Sequence, residues 1–425
     1  MTTKKRVLLI VAWSLLGVFL AFLAIGIYYV VIFQKILNEV TTPQAQKAVY
    51  GVYVLKADAA ERIEDTAGYL YGVYPHAAGE NELQETKEQL ANTLNQTPDF
   101  EEYADLFALL DGLKAQTCRA ILLDEAYKGS VAETEGYEWV ENGIRKLESI
   151  TVEQQTEKTQ EPTTAADTVK RDTFLLYISG IDTYGALSTR SRSDVNILMA
   201  VDPAKRKIQL VSTPRDFYVD FNRTNGQKDK LTHAGLYGVA SSMDALYRLY
   251  GVTIDYYVRI NFSGFVDVID ALGGVEVYSD TAFTVAGVKS YQKGYNQVNG
   301  IEALAFARER YQFTNGDYQR SKNQMEVIKA VIRKCTSPAI LLNYTQVMNG
   351  IGKSFETNMP QSRIIDLIQK QITGGGEWQV DTYTTQGKSA YRQTFSMPGR
   401  NLFVILPDAS SVDGGKTRLK ALLAG

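Results

Sequence analysis

The first pattern in the chain is a stretch with no alternation at all. Val7–Phe33 is a run of 27 residues without a charged side chain, long enough to cross a bilayer core with some tilt. Lys4, Lys5 and Arg6 precede it, which puts the N-terminus on the cytoplasmic side and the rest of the chain outside. A secretory leader has a shorter apolar core and a small-residue cleavage site, so the run reads as an uncleaved span. An amphipathic stalk over Phe33–Lys47 follows. Val49–Val54 then reads as a strand, Ala57–Leu70 as a helix broken at Gly68, Glu80–Leu94 and Glu101–Ala115 as amphipathic helices, and Cys118–Leu123 as a strand. Trp139–Leu147 has helical spacing, and Glu148–Val152 reads as a strand. Strands alternating with helices predict a small α/β unit. Residues 151–171 are rich in Thr, Gln and Glu, contain Pro162, and read as a linker.

Beyond the linker the periodicity changes to buried strands separated by helices. Strands are expected at Thr173–Ser179, Asp194–Val201, Lys207–Ser212, Tyr256–Ile260, Val275–Tyr278, Trp378–Thr384 and Leu402–Leu406. Helices are expected at Ala234–Tyr250, Phe262–Leu272, Gly300–Arg308, Ser321–Lys334 and Arg363–Ile372, the last with Ile364, Leu367 and Ile368 on one face. This order predicts an α/β fold with a mixed sheet and helices on both faces. The organisation is therefore a cytoplasmic segment 1–6, a transmembrane helix 7–33, an outer unit 34–150, a linker 151–171 and a second unit 172–425.

Composition narrows the chemistry. At 425 residues with 45% hydrophobic and 22% charged residues, the chain has ordinary globular content. A net charge of −3 gives no overall support for a nucleic-acid partner. Two histidines, His76 and His233, and two cysteines, Cys118 and Cys335, disfavour a zinc enzyme. The cysteines are expected to be two buried free thiols rather than a disulfide.

Charged residues cluster in two places. The first cluster runs Gly180-Ile-Asp182, Ser191-Arg-Ser-Asp194 and Pro214-Arg-Asp216; the second is Ala307-Arg-Glu-Arg310 followed by Asp317 and Arg320. Guanidinium forks match phosphate oxygens two at a time. Asp182 follows one buried strand and Asp194 begins the next, so an antiparallel connection would let the pair share a divalent ion with phosphate oxygens and water. Without the neighbouring arginines, a turn residue and a cap would be the preferred reading of the two aspartates. Arg308 and Arg310 end an apolar helix and suit its dipole, though that accounts for only one of them. Arg320 and Gln324 share a helical face. Lys230 precedes a helix start that favours an anion, and His233 reads as a helix-start hydrogen-bonding group or a proton shuttle.

Seven ordered pieces now stand together: Gly180-Ile-Asp182, Ser191-Arg-Ser-Asp194, Ser212-Thr-Pro-Arg-Asp216, Lys230-Leu-Thr-His-Ala234, Asp270-Ala-Leu-Gly-Gly-Val-Glu276, Ala307-Arg-Glu-Arg310 and Gly316-Asp317-Tyr-Gln-Arg320. In this order they resemble the LytR–CpsA–Psr family of cell-wall assembly proteins, over about residues 172–425. The segment before Thr173 resembles the accessory domain of its capsule-associated members. The resemblance implies a mixed sheet flanked by helices with a hydrophobic lipid tunnel. It implies transfer of an anionic glycopolymer, capsular polysaccharide or teichoic acid, from a polyprenyl-pyrophosphate carrier to peptidoglycan at the outer face of a Gram-positive-type membrane. Asp182 and Asp194 then become ligands of magnesium, or of manganese. Arg192, Arg215, Lys230, Arg308, Arg310, Arg320 and Gln324 become pyrophosphate binders. Asn323 stands where the family often has a second arginine, which should weaken one anion contact.

The chemistry calls for neutralising charge on phosphate oxygens as polyprenyl phosphate leaves, with no covalent enzyme intermediate. Arg215, Asp194 and Asp216 carry the catalytic expectation, with Asp194 or Asp216 accepting the acceptor's proton. The tunnel is expected from apolar residues of Phe262–Val277, which core packing explains equally well. A pyrophosphatase or a non-enzymatic lipid-binding regulator of envelope synthesis would use the same clusters.

Overall fold

The computed structural model describes residues 34–42, 46–75, 80–153, 172–314, 316–337 and 354–424. The expected span 7–33, His76 and most of the expected linker lie outside these residues. Among the described residues no helix is long and apolar enough to cross a membrane.

Two sheets organise the chain. The first is built from β1 (Lys47–Leu55), β2 (Leu70–Val73), β3 (Asp99–Glu102), β4 (Ala120–Asp124) and β5 (Ile144–Glu153), in the order β3-β2-β4-β1-β5. Helices α1 (Glu80–Leu94), α2 (Leu106–Ala115), α3 (Glu125–Ala132) and the single turn α4 (Val140–Gly143) connect them. β5 lies antiparallel to β1 from Lys47↔Glu153 to Leu55↔Ile144.

Four sequence expectations fail here for local reasons. Trp139–Leu147 is not one helix, because pairing with β1 claims the chain from Ile144 onward, and Ile150 and Val152 enter the core on alternate positions. Ala57–Leu70 contains only a short 3-10 turn, Ile63–Thr66. There the Asp65 carboxylate accepts the Glu61 and Arg62 amides, a local bond that competes with a helix. Glu101–Ala115 divides into β3 and α2, because Asp105 caps the amides of Phe107 and Ala108. β5 continues to Glu153, so the first residues assigned to the linker are strand.

The second sheet is mixed. β6 (Phe174–Ile181), β7 (Ser193–Asp202), β8 (Lys207–Ser212), β11 (Tyr256–Ile260), β16 (Phe355–Thr357) and β17 (Gln379–Thr384) lie in the order β16-β11-β6-β7-β8-β17. β6 runs parallel to β11 and antiparallel to β7, whereas β8 runs parallel to β17. Shorter pairs surround it: β9 (Tyr218–Val219) with β10 (Asp229–Lys230), β12 (Val275–Ser279) with β15 (Gly294–Val298), β13 (Phe283–Val285) with β14 (Lys289–Tyr291), and β18 (Gly387–Gln393) with β19 (Asn401–Pro407). The helices are α5 (Leu231–Ala234), α6 (Val239–Tyr250), α7 (Phe262–Ala271), α8 (Gly300–Arg308), α9 (Gly316–Cys335), α10 (Gln361–Gly374) and α11 (Ala409–Leu423).

Alternation along the central strands divides the helices between the two faces. Leu175, Tyr177, Leu198 and Ala200 pack with Met243, Leu246 and Tyr250 of α6 and with Val412 and Leu419 of α11. Phe174, Leu176 and Ile197 face the other way, toward Met325, Ile328 and Ile332 of α9 and Ile364 and Leu367 of α10. The period of two in the strands and the spacing of three to four in the helices meet here as one apolar sandwich. Ile368, expected on the same face of α10, is exposed. Both cysteines are free. Cys118 is buried, but Cys335 near the end of α9 is exposed, against the expectation of two buried thiols.

Helix α7 starts at Asn261, whose side chain accepts the Gly264 amide. Gly264 lets α7 touch the neighbouring backbone, since a Cβ there would lie 1.9 Å from the Ser354 carbonyl oxygen. Gly264→Ala should therefore destabilise the protein by about 1–3 kcal/mol. Urea unfolding measures this, and an unchanged midpoint would refute the close packing.

Candidate functional site

The β6–β7 hairpin sets the geometry. Gly180 pairs with Val195 and Ile181 with Ser193 across a bulge, so Asp182 leaves β6 beside the point where Asp194 enters β7. The loop between them returns through Arg190 and Arg192. It is pinned by the buried Arg259 guanidinium, which donates to the carbonyls of Leu187 (2.8 Å) and Thr189 (3.3 Å). After β8 the chain turns at Pro214, and Arg215 and Asp216 reach back toward the hairpin; the Thr232 amide bonds the Arg215 carbonyl at 2.8 Å.

Every arginine of the first cluster is charge-compensated. Arg192 Nη2 bonds Asp182, and Arg215 Nη1 lies 2.7 Å from Asp194 Oδ2. Asp194 also accepts the Thr232 hydroxyl at 2.8 Å. Asp216 sits 3.0 Å from Lys230 Nζ, and Arg215 Nε, 3.7 Å from Asp216, is buried without a hydrogen-bond partner. Arg320 Nη2 contacts Asp317 at 3.2 Å, and Arg310 approaches the same carboxylate at 3.9 Å. Arg308 stacks over the Phe262 ring, 4.3 Å from its centre.

Burial and charge act against each other in this cluster. Burial works against the Asp194 carboxylate, but Arg215 and Arg192 outweigh it and hold the group below the usual range. Asp216 is likewise lowered against its burial, by Lys230 and Arg215. Arg192 and Arg215 are raised despite burial, by Asp194 together with Asp182, Asp216 and Glu133. Arg320 is lowered, by burial first and then by the Arg215 charge.

Beside these charges opens a cavity of about 470 Å³. Its walls are the outward positions of the sheet (Leu176, Ile178, Val195, Met199, Val258, Ile260), with Phe262, Phe265, Val268 and Ile269 of α7, Leu304 and Ala307 of α8, and Val327, Ile328, Val331 and Ile332 of α9. Asp182, Asp194, Arg215, Arg308, Arg310, Arg320 and Gln324 also line it. The expected lining from Phe262–Val277 is half met. The α7 residues face the cavity, while Leu272, Val275 and Val277 pack in a separate core with Phe283 and Phe306. Arg192 touches the site through Asp182. Lys230 and Asp216 stand behind Arg215 and do not line the cavity.

An apolar cavity joined to a cluster of arginines and aspartates at a β-hairpin is the arrangement that the seven sequence pieces foreshadow. The profile of the LytR_cpsA_psr family matches residues 142–406. This chain belongs to the LytR–CpsA–Psr family. A Bacillus cereus protein named polyisoprenyl-teichoic acid–peptidoglycan teichoic acid transferase TagU is 34% identical over 199 residues, 47% of this chain and 64% of that protein. An Enterococcus faecalis protein of the same name is 33% identical over 191 residues, 44% of this chain and 62% of its own length. The match thus spans less than two thirds of these curated relatives. The crystal structure of B. subtilis TagV, 27% identical, aligns with a TM-score of 0.51 over 60% of this chain and 99% of that one.

Against the LytR–CpsA–Psr pattern, Asn323 has a different role from the one expected. Its amide donates to the Phe306 carbonyl at 3.1 Å and joins α9 to α8, and it does not line the cavity. Two contributors to the site went unseen in the sequence, both from α3 and its end. Ser130 Oγ accepts from Arg192 Nη1 at 3.1 Å and lies 3.4 Å from His233 Nε2, and His233 Nδ1 lies 2.6 Å from Asp229. With the proton on Nδ1 toward Asp229, Nε2 accepts from Ser130, so one tautomer satisfies the whole relay. Glu133 reaches Arg215 at 2.8 Å and Arg192 and Arg310 at 3.6 Å. The short, weakly patterned sequence Glu125–Ala132 gave no amphipathic signal to announce either residue.

The donors also bear on a metal. Asp182 and Asp194 line one cavity and offer hard carboxylate oxygens, and among the described residues no group of three or more His, Cys, Asp or Glu is set to hold an ion. Two carboxylates suit a magnesium-like ion that takes its other ligands from water and phosphate.

The lowered Asp194 fixes the sign of one pH effect. Its folded pKa lies below the unfolded value of about 3.9, so its stabilisation is complete above that value and is lost as pH falls toward the folded one. Asp194→Asn should remove uptake of about one proton on unfolding between pH 4 and pH 2, leaving a shallower acid slope than wild type. Parallel denaturation series over that range measure it, and identical slopes would refute the assignment.

Proposed function

We propose that the chain transfers an anionic glycopolymer from a polyprenyl-pyrophosphate carrier to a peptidoglycan hydroxyl, at the outer face of a membrane that residues 7–33 span. One observation carries this reading: a single cavity joins apolar walls to a cluster of guanidiniums and carboxylates. A long isoprenoid ending in a diphosphate has the matching division, apolar chain on one side and clustered anionic oxygens on the other. The TagU relatives are named as teichoic acid transferases that act between a polyisoprenyl-linked polymer and peptidoglycan, which supports this substrate class. Teichoic acid and capsular polysaccharide both fall within it.

In this mechanism Arg215, Arg310 and Arg320 bind the diphosphate oxygens, with Arg308 and Gln324 at the cavity wall, while Arg192 holds Asp182 in place. The acceptor hydroxyl's oxygen bonds to the sugar-side phosphorus as the bond from that phosphorus to the bridging oxygen breaks; polyprenyl phosphate departs and its freed phosphate oxygen takes up the hydroxyl proton. Arg215, at the cavity wall, faces the developing charge. Magnesium, or manganese, held by Asp182 and Asp194 would neutralise phosphate charge when bound. Asp194 and Asp216, both held low by neighbouring cations, hold the arginines and Lys230 in place and are poor proton acceptors. Lys230 acts through Asp216 rather than on substrate.

Two variants separate the two ends of the cavity. Arg310→Ala, at a partly exposed position, should lower polymer transfer about 100-fold or more with the fold intact. The assay follows labelled polymer onto peptidoglycan and counts polymer released into water separately. Release without attachment would replace transfer with hydrolysis, and normal transfer would sink the mechanism. Leu304→Trp, which fills the apolar part, should raise the KM for a long-chain carrier about 10-fold while binding of inorganic pyrophosphate stays unchanged. Equal losses for both ligands would refute an isoprenoid site.

A further inference from the structure

Glu133 lies ahead of residues 142–406, the stretch matched by the family, and arrives at the site from the end of α3. Its Oε2 sits 2.8 Å from Arg215 Nη2 and 3.6 Å from Arg192 Nη1, and its Oε1 sits 3.6 Å from Arg310 Nη2. Guanidiniums from three separate elements, the loop before β7, the turn after β8 and the segment after α8, thus converge on one carboxylate. Its side chain is 38% exposed, while Arg192 and Arg215 are 6% and 4% exposed. The backbone beneath it is fixed: Asp124 caps α3, and Ser130 is bonded into the Arg192–His233 relay. Rotation of one partly exposed side chain is enough to vacate the position.

We propose that Glu133 is a tethered stand-in for the phosphate anion, occupying the arginine cluster until pyrophosphate displaces it and thereby setting which anions bind. This rests on reading that cluster as the pyrophosphate site. A carboxylate brings two oxygens and one charge to Arg192, Arg215 and Arg310. Pyrophosphate brings more of both, and reaches a donor group that Glu133 leaves unused, the Arg320 fork at the cavity wall. A single phosphate gains far less over the carboxylate it must evict. Glu133 therefore selects a diphosphate over a monophosphate and favours departure of the monophosphate product.

The test is calorimetric titration of the full chain with inorganic pyrophosphate and, separately, inorganic phosphate. Glu133→Gln keeps the size of the side chain and removes its charge. It should bind pyrophosphate about 10-fold tighter than wild type and gain more for phosphate, so that the preference between them narrows. Glu133→Ala should show the same direction, which separates lost charge from a new amide contact. If wild type binds pyrophosphate and neither variant binds either anion more tightly, Glu133 is not a competitor and the proposal falls while the site stands. If neither wild type nor the variants bind pyrophosphate, the site reading falls and takes the proposal with it.

Discussion

Burying guanidinium groups is the constraint on which this structure turns. An arginine cannot shed its proton, so each one taken from water must be matched by an anion or leave a desolvated charge behind. Arg190, Arg192 and Arg215 are all buried, and each is paired: Arg190 with Asp124, Arg192 with Asp182, Arg215 with Asp194. The pairing explains why the aspartates stand where they do. It also explains why the loop between β6 and β7 has a definite course, since Arg259 takes up the carbonyls that the loop leaves unbonded.

The compensation is not the same throughout. Asp182 and Asp194 belong to the β6–β7 hairpin, Arg192 to its loop and Arg215 to the turn after β8, so these pairs form whenever the second sheet forms. Glu133 comes from the end of α3, a helix packed with the first sheet, and its share of the balance exists only when the two sheets are docked. Because it is part of the same chain, its local concentration at the arginines is set by the fold and not by dilution. A ligand entering the cavity therefore competes against a fixed opponent.

Much of this was readable in the sequence. β8, β11 and α8 have the boundaries that periodicity predicts, because each is buried on a regular face and bounded by a turn or cap. The first cluster was readable as well, since Asp182 and Asp194 flank one hairpin and their neighbours in sequence are neighbours in space. The failures share a physical cause. The Trp139–Leu147 stretch has helical spacing, but a vacant edge of β1 offered more hydrogen bonds than an isolated turn. Asn323 looked like a lost anion contact because its motif neighbours face the cavity, whereas its own side chain turns to α8. Ser130 and Glu133 could not be found by motif, since they reach the site across more than fifty residues of sequence and carry no local pattern of their own.

Arg190 gives the arrangement a last consequence. Its guanidinium leaves the β6–β7 loop and is buried against Asp124 of β4 and Glu82 of α1, while the loop backbone bonds β1 through Lys47 at 2.7 and 2.8 Å. A surface loop ordinarily frays at little energetic expense, and its amides exchange with solvent long before the core opens. This one is riveted to a second sheet through a charge that water cannot readily reach. Opening of the Ser188–Arg190 stretch is therefore tied to separation of the two sheets, whereas Tyr184–Ala186 of the same loop stay exposed to solvent.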